Sequence, residues 1–383
     1  PGSASVRISA ARLDNGSFTH TSLGDALSLP GEHDRYVIFR DQRSGLEFIR
    51  SCAMVHEQGL YASLGGYQYN IFMEFRVVRP SKLKPFDRVS EELNGRGVGS
   101  IEIEALLMSL RPIHQIVEAA IGGIIEKPEA QSAKPEQLAA TFGTTCQTML
   151  EAVAERFGEL METPLTLPDG IADQAAKSYL NALRFKTELG GTAGSNRIKA
   201  VLGINGKKSD AFRPMARILI ALESLQEMLR ADGLLEKQLI DQWMLGDTLE
   251  TVIADHPSWP VSGAGAVDLF SCLLARRTET GSDETPNEQL MNSIRALHES
   301  GDRHFKAFMQ VQHLHGKEWF RERQLSLFAS WIMVQALIET TEAQQAAANE
   351  PAVLSTWLDT IEQLEITAFL SGYEMGALLE KSS

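Results

Sequence analysis

The stretch Gly203-Ile204-Asn205-Gly206-Lys207-Lys208-Ser209 comes nearest to a phosphate-binding loop. In such loops, backbone N–H groups of a glycine-rich turn cradle phosphate oxygens while a lysine neutralises them. That geometry needs a longer spacing between the glycines and a strand before the first. Here only two residues separate the glycines, and Val201-Leu202 continues a helical pattern. With Arg197, Lys199, Arg213 and Arg217 close by, the segment reads as a basic, solvated loop between helices.

Histidines His298, His304, His313 and His315 crowd one region. Metal binding from a helix favours histidines one turn apart with a carboxylate nearby. His313 and His315 are two residues apart, a spacing for a strand or loop, and no His-Glu-x-x-His pattern occurs. They read as surface or packing residues, so no metal and no cofactor is expected. For acyl transfer there is no Gly-x-Ser-x-Gly elbow, and Cys52, Cys146 and Cys272 have no readable histidine partner. Glycosidic chemistry needs two carboxylates held across a sugar cleft. Acidic residues are plentiful, but no pair is set on a rigid strand, so no catalytic residue is assigned. Aromatic rings can bind sugar by stacking on a pyranose face. Trp259 lies in a proline-rich loop and Trp319 in a polar context, both suited to exposure. Tyr67 and Tyr69 fall on the apolar row of a strand, where core packing is the stronger reading. These four are the candidate carbohydrate-binding residues.

The elements that would position them change type along the chain. Tyr36-Val37-Ile38-Phe39 and Gly59 to Leu64 are short apolar runs. Tyr67, Tyr69, Ile71, Met73, Phe75 and Val77 then alternate with Gln68, Asn70, Glu74 and Arg76, which predicts a strand with one row in a core. Turn signals fall at Asn15-Gly16 and Gly65-Gly66. Pro80 to Pro85 forms a basic linker, and from Glu102 the spacing turns helical: Ile103, Leu106, Leu107 and Leu110, then Ile113, Ile116 and Val117 after Pro112. A second hinge runs through Lys127-Pro128 and Lys134-Pro135. Beyond it, Asp210 can cap a helix with Pro214 in its first turn, carrying the stripe Ile218, Leu219, Leu222, Leu225, Met228 and Leu229 to Asp232-Gly233. Leu325 to Ala336 is apolar on most sides and predicts a central helix; Val353 to Ala368 gives another long stripe. Breaks fall at His256 to Pro260 and at Thr278 to Pro286.

A (β/α) barrel needs about 250 residues of alternating strands and helices, and strand text stops near Val78. The prediction is therefore an α+β chain: a small antiparallel β-sandwich-like domain over 1–80, a linker with a helix over 81–130, and a large all-α domain over 131–383.

Bulk properties narrow the partners. Fifty acidic against 36 basic side chains give a formal net charge of −14. That excess repels phosphate backbones and anionic lipid, so neither nucleic acid nor membrane is expected as a partner. No apolar run approaches the roughly 20 residues a membrane span requires. Three scattered cysteines offer no disulfide framework. Few cysteines and the lack of a signal-peptide pattern point weakly to the cytoplasm, and the chain reads as a fragment.

Several segments together resemble large multidomain bacterial proteins of the α-amylase superfamily. Phe39-Arg40-Asp41 followed by Ser44-Gly45-Leu46-Glu47-Phe48-Ile49-Arg50 is similar to one of their sequence blocks. So are Gly59-Leu60-Tyr61, Tyr67 to Arg76, Leu93 to Ile101, and Leu110 to His114; Phe308 to Phe320 is similar in outline. Asn70, Glu74 and Arg321 depart from the family text. The resemblance implies a region C-terminal to a catalytic barrel, so the family's catalytic residues have no counterpart here. It implies an upstream catalytic domain as partner, with an α-glucan as ligand and oligomer formation open. The function so implied is a non-catalytic accessory region of an α-glucan-acting enzyme. Two rivals stay open: a purely structural or oligomerisation module, and an independent enzyme with a site between helices.

Overall fold

A run of four apolar residues cannot be half-solvated without large cost, and Tyr36-Val37-Ile38-Phe39 accordingly becomes the centre of a sheet covered on both faces. A computed structural model of the chain describes all residues except 1, 7, 13, 15, 65–66, 68, 127–132, 193–194, 205–210, 255–258, 277–283, 340–350 and 382–383. It is mostly helical with a small antiparallel three-stranded sheet, an α+β protein. The chain divides into two units, Pro1–Ile113 with Arg156–Pro164, and His114–Glu155 with Leu165–Ser383.

The first unit begins with β1 (Gly2–Val6), β2 (Ile8–Arg12), β3 (Phe18–Ser22) and α1 (Leu23–Ala26). It continues through β4 (Tyr36–Asp41), β5 (Glu47–Ser51), α2 (Cys52–Gln58), β6 (Leu60–Leu64), β7 (Phe72–Val78) and α3 (Phe86–Leu93). Strand order in the main sheet is β5-β4-β7, all antiparallel, while β1 pairs with β6 and β2 with β3. The β2–β3 pairing brings Arg12 opposite Phe18, with Gly16 at φ +81° between them; Asn15 of the expected turn lies outside the described residues. The one at Gly65-Gly66 lies outside the described residues.

Ile38 and Ile49 face Phe86, Val89, Leu93, Ile101 and Ala105; Val37 and Phe39 face Leu29, Cys52, Val55 and Leu60. The region read as wholly β thus also contains α2, whose Cys52 and Val55 cover the second face.

The structure corrects the expected core row of β7. Ile38 pairs with Arg76 but Arg40 with Met73, so β7 carries one extra residue, and Glu74 sits at φ +58°. A bulge of this kind flips the side-chain parity across it. Phe72 and Phe75, three apart, therefore both reach Phe39, at 5.1 and 5.3 Å between ring centroids. Tyr67, Tyr69, Ile71, Met73 and Val77, expected inside, are exposed instead.

Helices α4 (Ile101–Glu126) and α5 (Pro135–Met161) span the division between the units. Pro112 lies inside α4 without ending it. The second unit continues with α6 (Ile171–Gly191), α7 (Asn196–Val201), α8 (Phe212–Ala231), α9 (Leu239–Gln242), α10 (Gly246–Ile253) and α11 (Gly263–Arg276). After these come α12 (Pro286–Glu299), α13 (Arg303–Met309), the hairpin β8 (Gln312–Leu314) and β9 (Lys317–Trp319), α14 (Glu322–Ile338), α15 (Pro351–Leu370) and α16 (Met375–Lys381). Helix α14 is the central rod: Leu325 to Gln335 are buried without interruption, and Trp331 stacks on Phe212 of α8 at 5.7 Å. The α8 stripe is buried as its spacing requires, and Gly233 at φ +69° closes that helix. Asp210, the expected cap, lies outside the described residues. Thr285 and Glu288 form a reciprocal capping box for α12, with Pro286 in its first turn. The region expected to be all-α contains the β8–β9 hairpin; strands of three largely exposed residues are too short to leave an alternating pattern. Among the described residues, no helix is long and apolar enough to cross a membrane.

Candidate functional site

In the first unit, the residues that carry the family resemblance converge on one polar hub. The Glu47 carboxylate is 2% exposed and accepts from Arg40 Nη2 at 2.9 Å, from Arg76 Nη2 at 3.0 Å, and from the Ile101 backbone N–H at 2.9 Å. It therefore caps the first turn of α4 while pairing two guanidinium groups. Burial raises the Glu47 carboxyl, but the Ile101 N–H and the two arginines outweigh it and hold the group below its ordinary value. Asp41, also buried, accepts from the backbone N–H groups of Ser44 and Ile71 and from the Ser44 hydroxyl, which fixes the turn between β4 and β5 with Gly45 at φ +72°. With every acceptor engaged, both carboxylates act as structure. Edge strand β7 exposes Met73 and Val77, and before it Tyr69 is 60% exposed and lies under the Arg43 guanidinium at 6.0 Å.

The second unit gathers aromatic rings around Tyr373, next to Trp319. Backbone pairing joins Trp319 to Glu374, the Phe320 N–H donates to the Tyr373 carbonyl at 3.1 Å, and Tyr373 packs edge-on against both Phe320 and Phe369. Phe369 and Leu370 are 68% and 64% exposed, with Ile366 of the same helix also exposed. Polar groups border this apolar surface. Arg197 reaches Glu322 at 3.2 Å and Glu365 at 2.8 Å; Tyr373 donates its hydroxyl to Glu322, and Ser326 donates to Glu365. Burial raises the Glu365 carboxyl, against the Ser326 hydroxyl and Arg197 that favour its ionised form. Burial and the Glu322 carboxylate together raise the Tyr373 phenol. Rings beside hydrogen-bonding carboxylates and an arginine can hold the apolar face and the hydroxyls of a sugar at once.

Of the four predicted aromatics, Trp319 alone lies beside this surface, through its backbone pairing with Glu374. Trp259 is half-buried, edge-on against Phe270 at 6.4 Å, with the neighbouring Pro260 carbonyl held by Arg323. Tyr67 and Tyr69 belong to the other unit. Exposure is thus greatest at the tyrosines and smaller at the tryptophans, the reverse of the sequence expectation.

The histidines take structural posts. His298 Nε2 meets Glu318 at 2.6 Å and ties α12 to β9; His313 and Lys306 stand near the same carboxylate, which lies below its ordinary value chiefly through His298. His304 has Nδ1 2.6 Å from Asp268 and Nε2 2.8 Å from Asp241. Each ring nitrogen faces a carboxylate oxygen, an arrangement that favours the imidazolium, which can donate from both. Its pKa is raised, first by Asp268 and against burial. Asp241, which also accepts from Arg303, is pulled below its ordinary value despite burial. No group of three or more His, Cys, Asp or Glu suited to a metal occurs among the described residues. The Gly203 to Ser209 loop lies largely outside them.

A cleft of about 620 Å³ opens between α8, α11 and α12. Its lining includes Gln226, Arg230, Lys237, Arg276, Glu284 and Asn292. Arg276, at the end of α11, is 6% exposed and donates to Ser293 Oγ (3.2 Å), Gln335 Oε1 (3.0 Å) and Gln289 Oε1 (2.9 Å). Gln335 in turn donates to Glu223 at 2.7 Å. Burial pulls the guanidinium below its ordinary value, against Glu339, Glu223 and Glu284, which favour its charge. Sequence reading missed this site. Its one signal is an arginine ending the otherwise apolar run Leu269 to Ala275.

No family model, curated protein or solved structure matches the chain.

Proposed function

We propose that the chain is a non-catalytic accessory region of an α-glucan-acting enzyme, with glucan held on the helical unit. The exposed ring surface of Tyr373 and Phe369, with Trp319 tied to the same turn by backbone pairing at Glu374 and with Arg197, Glu322 and Glu365 at its border, carries this reading. An exposed phenylalanine and an exposed leucine on one helix end are costly in water unless something covers them, and a pyranose face is a matching cover. In the β-rich unit, read as the sandwich-like domain of such a protein, the resemblance supplies an upstream catalytic domain as neighbour. The apolar side chains along β7 are the surface that neighbour would cover.

The test is electrophoresis of the full chain through gels containing soluble starch or glycogen, beside Trp319→Ala and Phe369→Ala. Retardation of the parent chain, lost in both variants with unchanged circular dichroism, is the expected result. Equal mobility with and without glucan rejects glucan binding. A symmetric assembly by light scattering with no retardation would favour the purely structural reading.

A further inference from the structure

Arg276 carries five N–H donors, and three of them are used, all by neutral oxygens. The two that remain, one on Nη1 and one on Nη2, have no acceptor among the described residues, and no carboxylate there lies within ion-pair distance of the group. A buried guanidinium left in this state is costly, and a forked oxyanion is the partner its geometry matches. Lining the same cleft, Glu284 accepts from Asn292 through Oε1 at 3.0 Å, while its Oε2 is buried with no donor among the described residues. Arg230 and Lys237 stand exposed at the rim and add positive charge. One ligand class answers all three features, because it accepts at one end and donates at the other.

We propose that this cleft binds a small hydroxylated anion, with its phosphate or carboxylate on Arg276 and a hydroxyl donated to Glu284 Oε2. A volume of about 620 Å³ falls in the range of small-molecule sites. The cleft shares no residue with the aromatic surface around Trp319, so its occupancy does not depend on polysaccharide binding there.

Titration calorimetry of the full chain with inorganic phosphate, glucose 6-phosphate, glucuronate and uncharged glucose tests this. At least one of the two hydroxylated anions is expected to bind about tenfold tighter than glucose, a difference of one ordinary charge-assisted contact. The better of the two identifies the anionic group. Arg230→Ala and Lys237→Ala, both at exposed positions, should each weaken it several-fold without changing the thermal melt. Glu284→Gln should weaken the hydroxylated probe while leaving inorganic phosphate unaffected. Absence of binding by either hydroxylated anion, glucose binding as tightly as the anions, or affinities unmoved by the rim variants would each overturn the proposal.

Discussion

The β-rich unit buries a carboxylate between two arginines, whereas the helical unit buries an arginine among two amides and a hydroxyl. Glu47 has its charge matched and its oxygens filled, by Arg40, Arg76 and the first N–H of α4. Arg276 has three donors filled and, among the described residues, two without an acceptor. A closed set of partners specifies a fold, because each member fixes the others and nothing further can enter. An open set beside a cleft is what the proposed anion would complete. The difference separates scaffold from site more sharply than the count of charged residues in either unit.

The largest expected effect breaks the closed set. Glu47→Ala removes charge-assisted hydrogen bonds from Arg40 and Arg76, which keep Glu74 and Glu102, and uncaps α4; it should destabilise the β-rich unit by about 3–5 kcal/mol. Cysteine labelling during urea unfolding reads this unit by unit, since Cys52 lies in the β-rich unit and Cys146 and Cys272 in the helical one. Burial raises all three thiols, Cys146 to about 12, so native labelling should be slow and each unit's loss visible as its own thiols react. Early exposure of Cys146 and Cys272 in Glu47→Ala would contradict independent scaffolding.

Arg276→Ala comes next, at about 2–3 kcal/mol, because Gln335 keeps its bonds to Glu223 and Leu273 when the arginine goes. If this loss exceeded that of Glu47→Ala, Arg276 would belong with the closed structural sets.

A pH series sharpens the comparison through His304. Its pKa is raised, so its stabilisation is complete below the ordinary histidine value of about 6.5 and fades as pH rises through the higher folded value. Asp241 is depressed, so its part is complete above about 3.9 and fades as pH falls through the lower folded value. Melting temperature of the helical unit should therefore fall on the alkaline side, and His304→Gln should flatten that limb. An unchanged alkaline limb in the variant would show that other groups set it.

The smallest effects concern left-handed residues. Gln310 at φ +53° ends α13, and Asn94 at φ +41° ends α3. Gln310→Gly should stabilise the helical unit by about 0.5–1 kcal/mol, and Asn94→Gly the other unit by less, since asparagine already tolerates that conformation. Equal gains in denaturant midpoint would remove the distinction.

Helical spacing alone determined the buried stripe of α8, the central position of α14 and the inward face of α15, because a period near 3.6 leaves one way to hide those side chains. The apolar run of β4 likewise required a sheet covered on two faces. What sequence could not state is anything set by pairing across the chain. One inserted residue at Glu74 reversed which β7 side chains meet Phe39, and that insertion exists only relative to β4. Trp319 of β9 pairs with Glu374 in the turn after α15, and Arg276 finds Gln335 59 residues away. Such convergence leaves no local period to read. Local patterning thus chose the elements, and only tertiary packing decided which charges were closed off and which kept donors without an acceptor among the described residues.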